Sequence, residues 1–190
     1  MLTLFLVVLL LGGGALLVLG LILYNSLIQV RHGVDQAWSN IDVLLKQRHD
    51  ELPKLLDTVG AYMTYERDLL ERITLLRAQT ASATTPAARM QAEGALGAGI
   101  GRLLAVAEGY PELKANATFA QLQARISALE EQIAHRREFY NAAVNLNNVR
   151  MEQVPDRFLA GLARMTPRTL FEAAAVERAD VNIGAALRSG

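Results

Sequence analysis

The chain has 190 residues, no cysteine, and 19 Lys and Arg against 19 Asp and Glu. The missing cysteine excludes a disulfide framework and a thiolate metal site, and the balanced charge excludes an overall field that would attract nucleic acid. The abundance of Ala, Leu, Glu, Arg and Gln favours long helices. We predict an all-α protein in which an N-terminal transmembrane helix is followed by an antiparallel up-and-down bundle of long helices.

The first segment, residues 1–24, contains no charged residue between Leu2 and Leu23. As a helix this run is about 33 Å long at ~1.5 Å per residue, which is enough to cross a hydrocarbon core of about 30 Å. The alternative is a cleaved secretory signal, but such signals have a basic start and an apolar stretch of only about 7–15 residues. We therefore predict a retained anchor in the lipid bilayer.

The position of the first basic residues predicts the orientation of this anchor. No Lys or Arg precedes the apolar run, whereas Arg31 follows it closely. Lys and Arg near a membrane end resist translocation. We expect the N-terminus outside and the main domain in the cytoplasm.

Residues 25–80 show a seven-residue apolar period, which predicts one long helix with a coiled-coil-like seam. The two lines of the seam are Val34, Ile41, Leu55, Tyr62, Leu69 and Leu76, and Trp38, Leu45, Leu52, Val59 and Ile73. Arg48 and Glu66 are polar seam positions. Together with Arg136 and Arg137, these two residues either form a buried polar network or reach solvent. We favour solvent for most of them, because a long side chain can cover apolar surface while its charged group stays in water.

Prolines predict the remaining helix bounds. Pro53 predicts a kink or break within the first helix. Thr85 before Pro86 is a capped helix start, which gives a second helix over residues 86–109, and the third helix, residues 116–153, ends before Pro155. The second helix contains Gly94, Gly97, Gly99 and Gly101. We expect these glycines to admit a neighbouring helix, with a hinge or a subunit-docking site as the alternative.

Two regions are candidate interaction sites. The corner between the second and third helices contains Tyr110, Pro111, Lys114 and Asn116. These residues either end and cap helices, which we favour, or recognise a partner.

The second candidate region lies in residues 154–190, where we expect a short amphipathic helix and a loosely held tail from residue 178. The apolar residues Phe158, Leu162 and Met165 lie on this helix. Three alternating long helices would place it far from the bilayer, where it would support homo-oligomers because membrane confinement raises the effective concentration of neighbours.

We find no pattern of catalytic residues. His32, His49 and His135 lack metal-ligand spacing, and no nucleophile elbow, phosphate-binding loop or dinucleotide fingerprint occurs. We therefore expect neither an enzyme nor a bound cofactor or metal.

Several blocks in order resemble the LemA family. The first is Tyr24-Asn25, Trp38-Ser39, Ile41-Asp42-Val43, Leu45-Lys46, Arg48, Asp50 and Pro53; the densest is Glu108, Tyr110-Pro111, Leu113-Lys114-Ala115-Asn116, Phe119 and Leu122-Gln123; the later ones are Glu130, Ile133-Ala134, Arg137, Tyr140-Asn141, Val144 and Asn147, and then Phe171-Glu172. The glycine-rich second helix departs from the family pattern. The resemblance implies a helical-bundle protein of the bacterial inner membrane with no established chemical activity.

Our functional prediction is a non-enzymatic membrane scaffold or adaptor that contacts copies of itself or other envelope proteins. The alternative is a signalling or sensory subunit that relays membrane state through the anchor and the first helix.

Overall fold

The computed structural model describes residues 1–171. These residues form six helices: α1 (Leu2–Gly60), α2 (Arg67–Ser82), α3 (Pro86–Ala107), α4 (Pro111–Lys114), α5 (Ala117–Glu152) and α6 (Asp156–Ala160). No strand occurs from residue 1 to residue 171, and the predicted all-α class is confirmed. The tail expected from residue 178 lies outside the described residues.

α1 combines an apolar segment with an amphipathic one. Residues 1–19 are exposed, and within the described residues α1 is the one helix long and apolar enough to cross a membrane. Complete burial begins at Leu27 and then recurs along the predicted seam at Val34, Ile41 and Leu45. One continuous helix therefore carries both the apolar segment and the first helix of the bundle.

The described residues divide into two compact units. Unit 1 comprises residues 1–42 and 135–170, and unit 2 comprises residues 43–134 together with Phe171. α1 and α5 contribute to both units.

Unit 2 is a four-helix bundle. It consists of the C-terminal part of α1, all of α2 and α3, and the first part of α5. Its core consists of Leu52, Leu55, Val59, Met63, Ile73, Leu96, Ile100, Leu103, Ala107, Leu113, Phe119, Leu122 and Ile126. Arg48 pairs with Glu130, and Asn116 contacts Tyr62, so α1 and α5 run antiparallel in this unit. α3 starts at its predicted cap, where the Thr85 hydroxyl accepts a hydrogen bond from the Ala88 amide at 3.2 Å.

Unit 1 pairs the first part of α1 with the end of α5. The rings of Trp38 and Tyr140 lie 5.6 Å apart, and Arg150 donates to the Ser26 hydroxyl at 3.1 Å. The residue numbers of α5 rise as those of α1 fall, so the two helices are antiparallel here too. After α5 the chain folds back as α6 against Leu27.

The structure differs from the single helix expected over residues 25–80. α1 continues through Pro53 and ends at Gly60, and a turn over residues 61–66 leads into α2. In that turn the Met63 side chain is fully buried, whereas Glu66 is only half-buried. A continuous helix would have placed the Glu66 carboxylate in the apolar seam, where an unpaired charge is costly. The break removes Glu66 from that position.

Candidate functional site

The α6 segment lies beside the start of the amphipathic part of α1. Ala160, Ala163 and Met165 pack on Leu27, and Arg31 donates a hydrogen bond to the Ala163 carbonyl at 2.9 Å. The prediction that three alternating helices carry this segment away from the end of the apolar run is therefore wrong. The physical reason is the additional reversal at residues 61–66, which gives four long helices instead of three, so that α5 returns the chain to the end of the apolar run.

The three candidate residues of this segment separate into two groups. Phe158 and Leu162 are 74% and 70% exposed, whereas Met165 is 6% exposed and belongs to the core of unit 1. Val154, just before α6, is 71% exposed. The surface of this segment therefore presents Val154, Phe158 and Leu162, and Met165 holds the segment on α1.

The corner residues Tyr110 and Asn116 bond within unit 2. The Tyr110 hydroxyl donates to Glu66 Oε1 at 3.5 Å, and Asn116 Nδ2 donates to the Tyr62 hydroxyl at 3.0 Å. Asn116 Oδ1 accepts from the Phe119 amide at 3.0 Å, which confirms the predicted cap of α5. Partial burial, and then the charge of Glu66, raise the pKa of Tyr110. These side chains hold the ends of helices together.

The other two corner residues are exposed. Pro111 is the first residue of the short α4. An N–H at this position has no partner within the helix, so proline loses no hydrogen bond there. Lys114 Nζ lies 2.8 Å from Glu108 Oε2, and its hydrogen bond and charge lower the pKa of Glu108. Pro111 and Lys114 are thus the part of the corner that faces solvent.

Unit 2 also contains a charged cluster formed by Arg48, Glu93 and Glu130. The Arg48 side chain has no exposed surface, and its guanidinium pairs with the Glu93 carboxylate on α3 and with Glu130 Oε1 on α5 at 2.8 Å. It also donates to the Glu93 carbonyl at 3.1 Å. The interpretation that seam charges reach solvent is wrong for Arg48, whereas Arg136 is exposed.

Gly97 makes room for this cluster. A Cβ at Gly97 would lie 3.2 Å from Arg48 Nη1 and 3.3 Å from Glu130 Oε2, and one at Gly99 would lie 3.4 Å from two side chains of α2. No such neighbour lies within 4 Å of Gly94 or Gly101. The expected close approach in the glycine-rich stretch therefore applies to Gly97 and Gly99.

A second polar group clamps the chain that follows α6 onto α5. Asn147 donates to the Thr166 carbonyl at 3.0 Å, and the Asn148 side chain exchanges two hydrogen bonds with the Arg168 backbone at 2.9 and 3.0 Å. The Tyr140 hydroxyl donates to the Thr169 carbonyl at 3.1 Å. We did not predict this clamp from the sequence. Its signal is the pair of consecutive asparagines inside a helix, where asparagine is a poor helix former.

The histidines do not converge. His32 and His135 are exposed, His49 is half-buried, and His135 Nδ1 lies 3.7 Å from Glu138 Oε2. Among the described residues, no group of three or more His, Asp or Glu side chains is placed to hold a metal ion.

A long apolar N-terminal helix that continues into an all-α bundle defines a class of membrane-associated helical proteins. Comparison with known proteins identifies the family within that class. The model of the LemA family matches residues 37–184, and the chain belongs to that family.

Individual relatives match over different shares of the chain. Protein LemA of Metamycoplasma hominis is 25% identical over 162 residues, which are 83% of this chain and 73% of that protein. Magnetosome protein MamQ 2 of Paramagnetospirillum magneticum is 37% identical over 73 residues, and Magnetosome protein MamQ of Magnetospirillum gryphiswaldense is 33% identical over 73 residues. The chain spans only 27% of the length of either magnetosome protein.

Proposed function

We propose that the protein is a non-enzymatic scaffold or adaptor of the bacterial inner membrane that associates with copies of itself and, through them, with other envelope proteins. The observation that supports this proposal is an exposed apolar stripe on α5 in unit 1. Phe139, Leu146 and Val149 are 61%, 48% and 38% exposed. With the exposed Ala142 they recur every three or four residues.

The stripe lies opposite the buried face of the same helix. Tyr140, Val144 and Asn147 face the core of unit 1, and side chains at helical spacing from Phe139 fall on the other side. Next to Phe139 lies a shallow groove, lined on α1 by Gly33, Gln36, Ala37 and Asn40 and on α5 by Arg136 and Phe139. The apolar stripe is therefore bordered by a groove of mixed polar and apolar residues.

Two copies held in one membrane can meet through this surface with few contacts. Confinement and a shared orientation raise the effective concentration of one stripe near another, so that a small interface suffices. A contact related by a twofold axis brings the same surface of both copies together. We therefore expect α5 to lie against α5 in the dimer.

Cysteine crosslinking in native membranes tests the contact directly, because the chain contains no cysteine of its own. Leu146→Cys is expected to give a disulfide-linked dimer on mild oxidation. Glu71→Cys, an exposed polar position on α2, is the matched control for random collisions. Equal dimer yields at positions 146 and 71 would refute association through α5.

The same control variant tests the proposed orientation, with the N-terminus outside and the bundle in the cytoplasm. A membrane-impermeant maleimide is expected to label Glu71→Cys only after spheroplasts are permeabilised. Labelling of intact spheroplasts would place unit 2 outside the cytoplasm.

The alternative function, a relay of membrane state, has one observation in its favour. α1 runs without interruption from Leu2 to Gly60 and includes Pro53, so a movement of the anchor would pass directly into the bundle. Against a sliding movement, the pairing of Arg48 with two other helices fixes the register of α1 in unit 2. A change in the distance between probes on either side of Pro53 when lipid composition changes would favour the relay.

A further inference from the structure

We infer that residues 154–164 form a second membrane contact, which we call the foot, and that Val154, Phe158 and Leu162 of the foot lie in the lipid headgroup layer of the bilayer that α1 crosses. This contact is separate from the proposed α5 interface. It concerns lipid rather than another protein.

The distance of the foot from the hydrocarbon core follows from its contacts with α1. Ala160 and Ala163 pack on Leu27, four residues beyond the apolar run that ends at Leu23. Four residues of helix are about 6 Å, and the headgroup layer is roughly 5–7 Å thick on each side of the hydrocarbon. The foot is thus at the level of the headgroups.

Two polar connections hold the foot at that height. Arg31 donates to the Ala163 carbonyl at 2.9 Å. Arg150 bridges α1 and α6, because it donates to the Ser26 hydroxyl at 3.1 Å and forms an ion pair with the buried Asp156 carboxylate. The foot is therefore attached to the membrane-spanning helix at both of its ends.

One exposed face of the foot is apolar. Phe158 and Leu162 are four residues apart, and the helical hydrogen bond from the Ala163 amide to the Leu159 carbonyl at 2.9 Å keeps them on one face. That face is opposite Ala160 and Ala163, which are buried on α1. An aromatic and an aliphatic side chain left unpacked at headgroup height bury their apolar surface in lipid.

The charges within residues 154–164 fit a phosphate layer, and the exposed Glu152 lies two residues before them. Arg157 and Arg164 are exposed, whereas Asp156 is neutralised by Arg150. Within the foot itself two arginines remain without an acidic counterpart. Arginine beside an anionic leaflet adds attraction to the apolar insertion.

Depth-dependent quenching of single labels tests the foot in the full-length chain, which has no background thiol. Phe158→Cys and Leu162→Cys would be labelled with an environment-sensitive fluorophore and reconstituted in vesicles of phosphatidylcholine and phosphatidylglycerol. Val43→Cys is the matched control. Val43 is also an exposed apolar residue, 55% exposed, but it lies on α1 about 30 Å beyond Leu23 and outside the stripe of α5 that is proposed to form the dimer.

A headgroup-nitroxide lipid is expected to quench labels at positions 158 and 162 but not at 43, and aqueous iodide is expected to show the reverse. Iodide quenching at position 158 as strong as at 43, without lipid quenching, would overturn the inference. A label at 158 that is shielded from iodide but insensitive to the nitroxide lipid would also overturn it, because a protein neighbour would then be the occupant.

Discussion

Arg48→Met tests whether the charged cluster of unit 2 depends on its single cation. The substitution removes the group shared by Glu93 and Glu130 and leaves an unbranched apolar side chain in its place. Glu93 is 5% exposed, whereas Glu130 is 29% exposed and has access to water. The main consequence is therefore a buried Glu93 carboxylate without a partner.

Removal of one member of a buried ion pair typically destabilises a protein by about 3–5 kcal/mol. Because Glu130 can turn to solvent, we expect a loss near the lower end, about 3 kcal/mol. For a chain of this length each 1 kcal/mol lowers the melting temperature by roughly 2–4 °C, so the expected decrease is about 6–12 °C.

A second substitution separates two effects: the loss of the attraction between Arg48 and Glu93, and the cost of leaving the Glu93 carboxylate buried without a partner. Arg48→Met combined with Glu93→Leu removes both buried charges. Replacement of a buried pair by apolar residues of similar size is often neutral or stabilising. The double variant is therefore expected to recover most of the stability that the single variant loses.

Thermal unfolding of the full-length chain in detergent, followed by helical circular dichroism, measures these differences. Lys54→Met is the control, because Lys54 is 60% exposed and its buried partner Glu51 keeps an ion pair with Arg125 at 3.1 Å, so the expected loss is below about 1 kcal/mol. The reasoning fails if Arg48→Met melts within the range of Lys54→Met, or if the double variant melts no higher than the single one.

Three further predictions use the same assay. Gly101→Ala should stabilise the chain by about 0.5–1 kcal/mol, whereas Gly97→Ala should not, because its Cβ crowds Arg48; equal gains would contradict the close approach. Asn116→Ala removes the cap of α5 and should destabilise by about 1–2 kcal/mol, and an unchanged melting temperature would refute the cap. Burial raises the pKa of Tyr140, so its hydroxyl contributes stability below about pH 10 that is lost as the pH rises further; Tyr140→Phe should make the alkaline decrease shallower, and an identical decrease in both proteins would contradict this.

The periodicity of apolar residues predicted much of the core because burial selects residue types locally. Val34, Ile41, Leu45 and Leu52 all lie on the predicted seam and all are buried. The same pattern continued across Glu66, and one polar position did not distinguish a seam residue from a turn. The chain direction after residue 66 therefore could not be predicted, and the position of α6 depended on it.

The polar contacts were beyond prediction for a different reason. The partners of Arg48 lie 45 and 82 residues away in the sequence, and local periodicity contains no information about such distant pairs. For Asn147 the sequence held a local signal, because an asparagine pair inside a helix needs an explanation. Its partner at Thr166 follows only from the fold-back of the chain after α5.

The division into units has a consequence for biosynthesis. Unit 2 is almost continuous in sequence from residue 43 to residue 134, whereas the two parts of unit 1 are separated by all of it, as the 132 residues between Arg31 and Ala163 illustrate. The ribosome therefore synthesises residues 1–42 of unit 1 long before residues 135–170, against which they pack. Unit 1 therefore obtains its second part only after residues 43–134 have been synthesised, and a nascent chain stalled before residue 135 would leave Leu27 without Ala160, Ala163 and Met165.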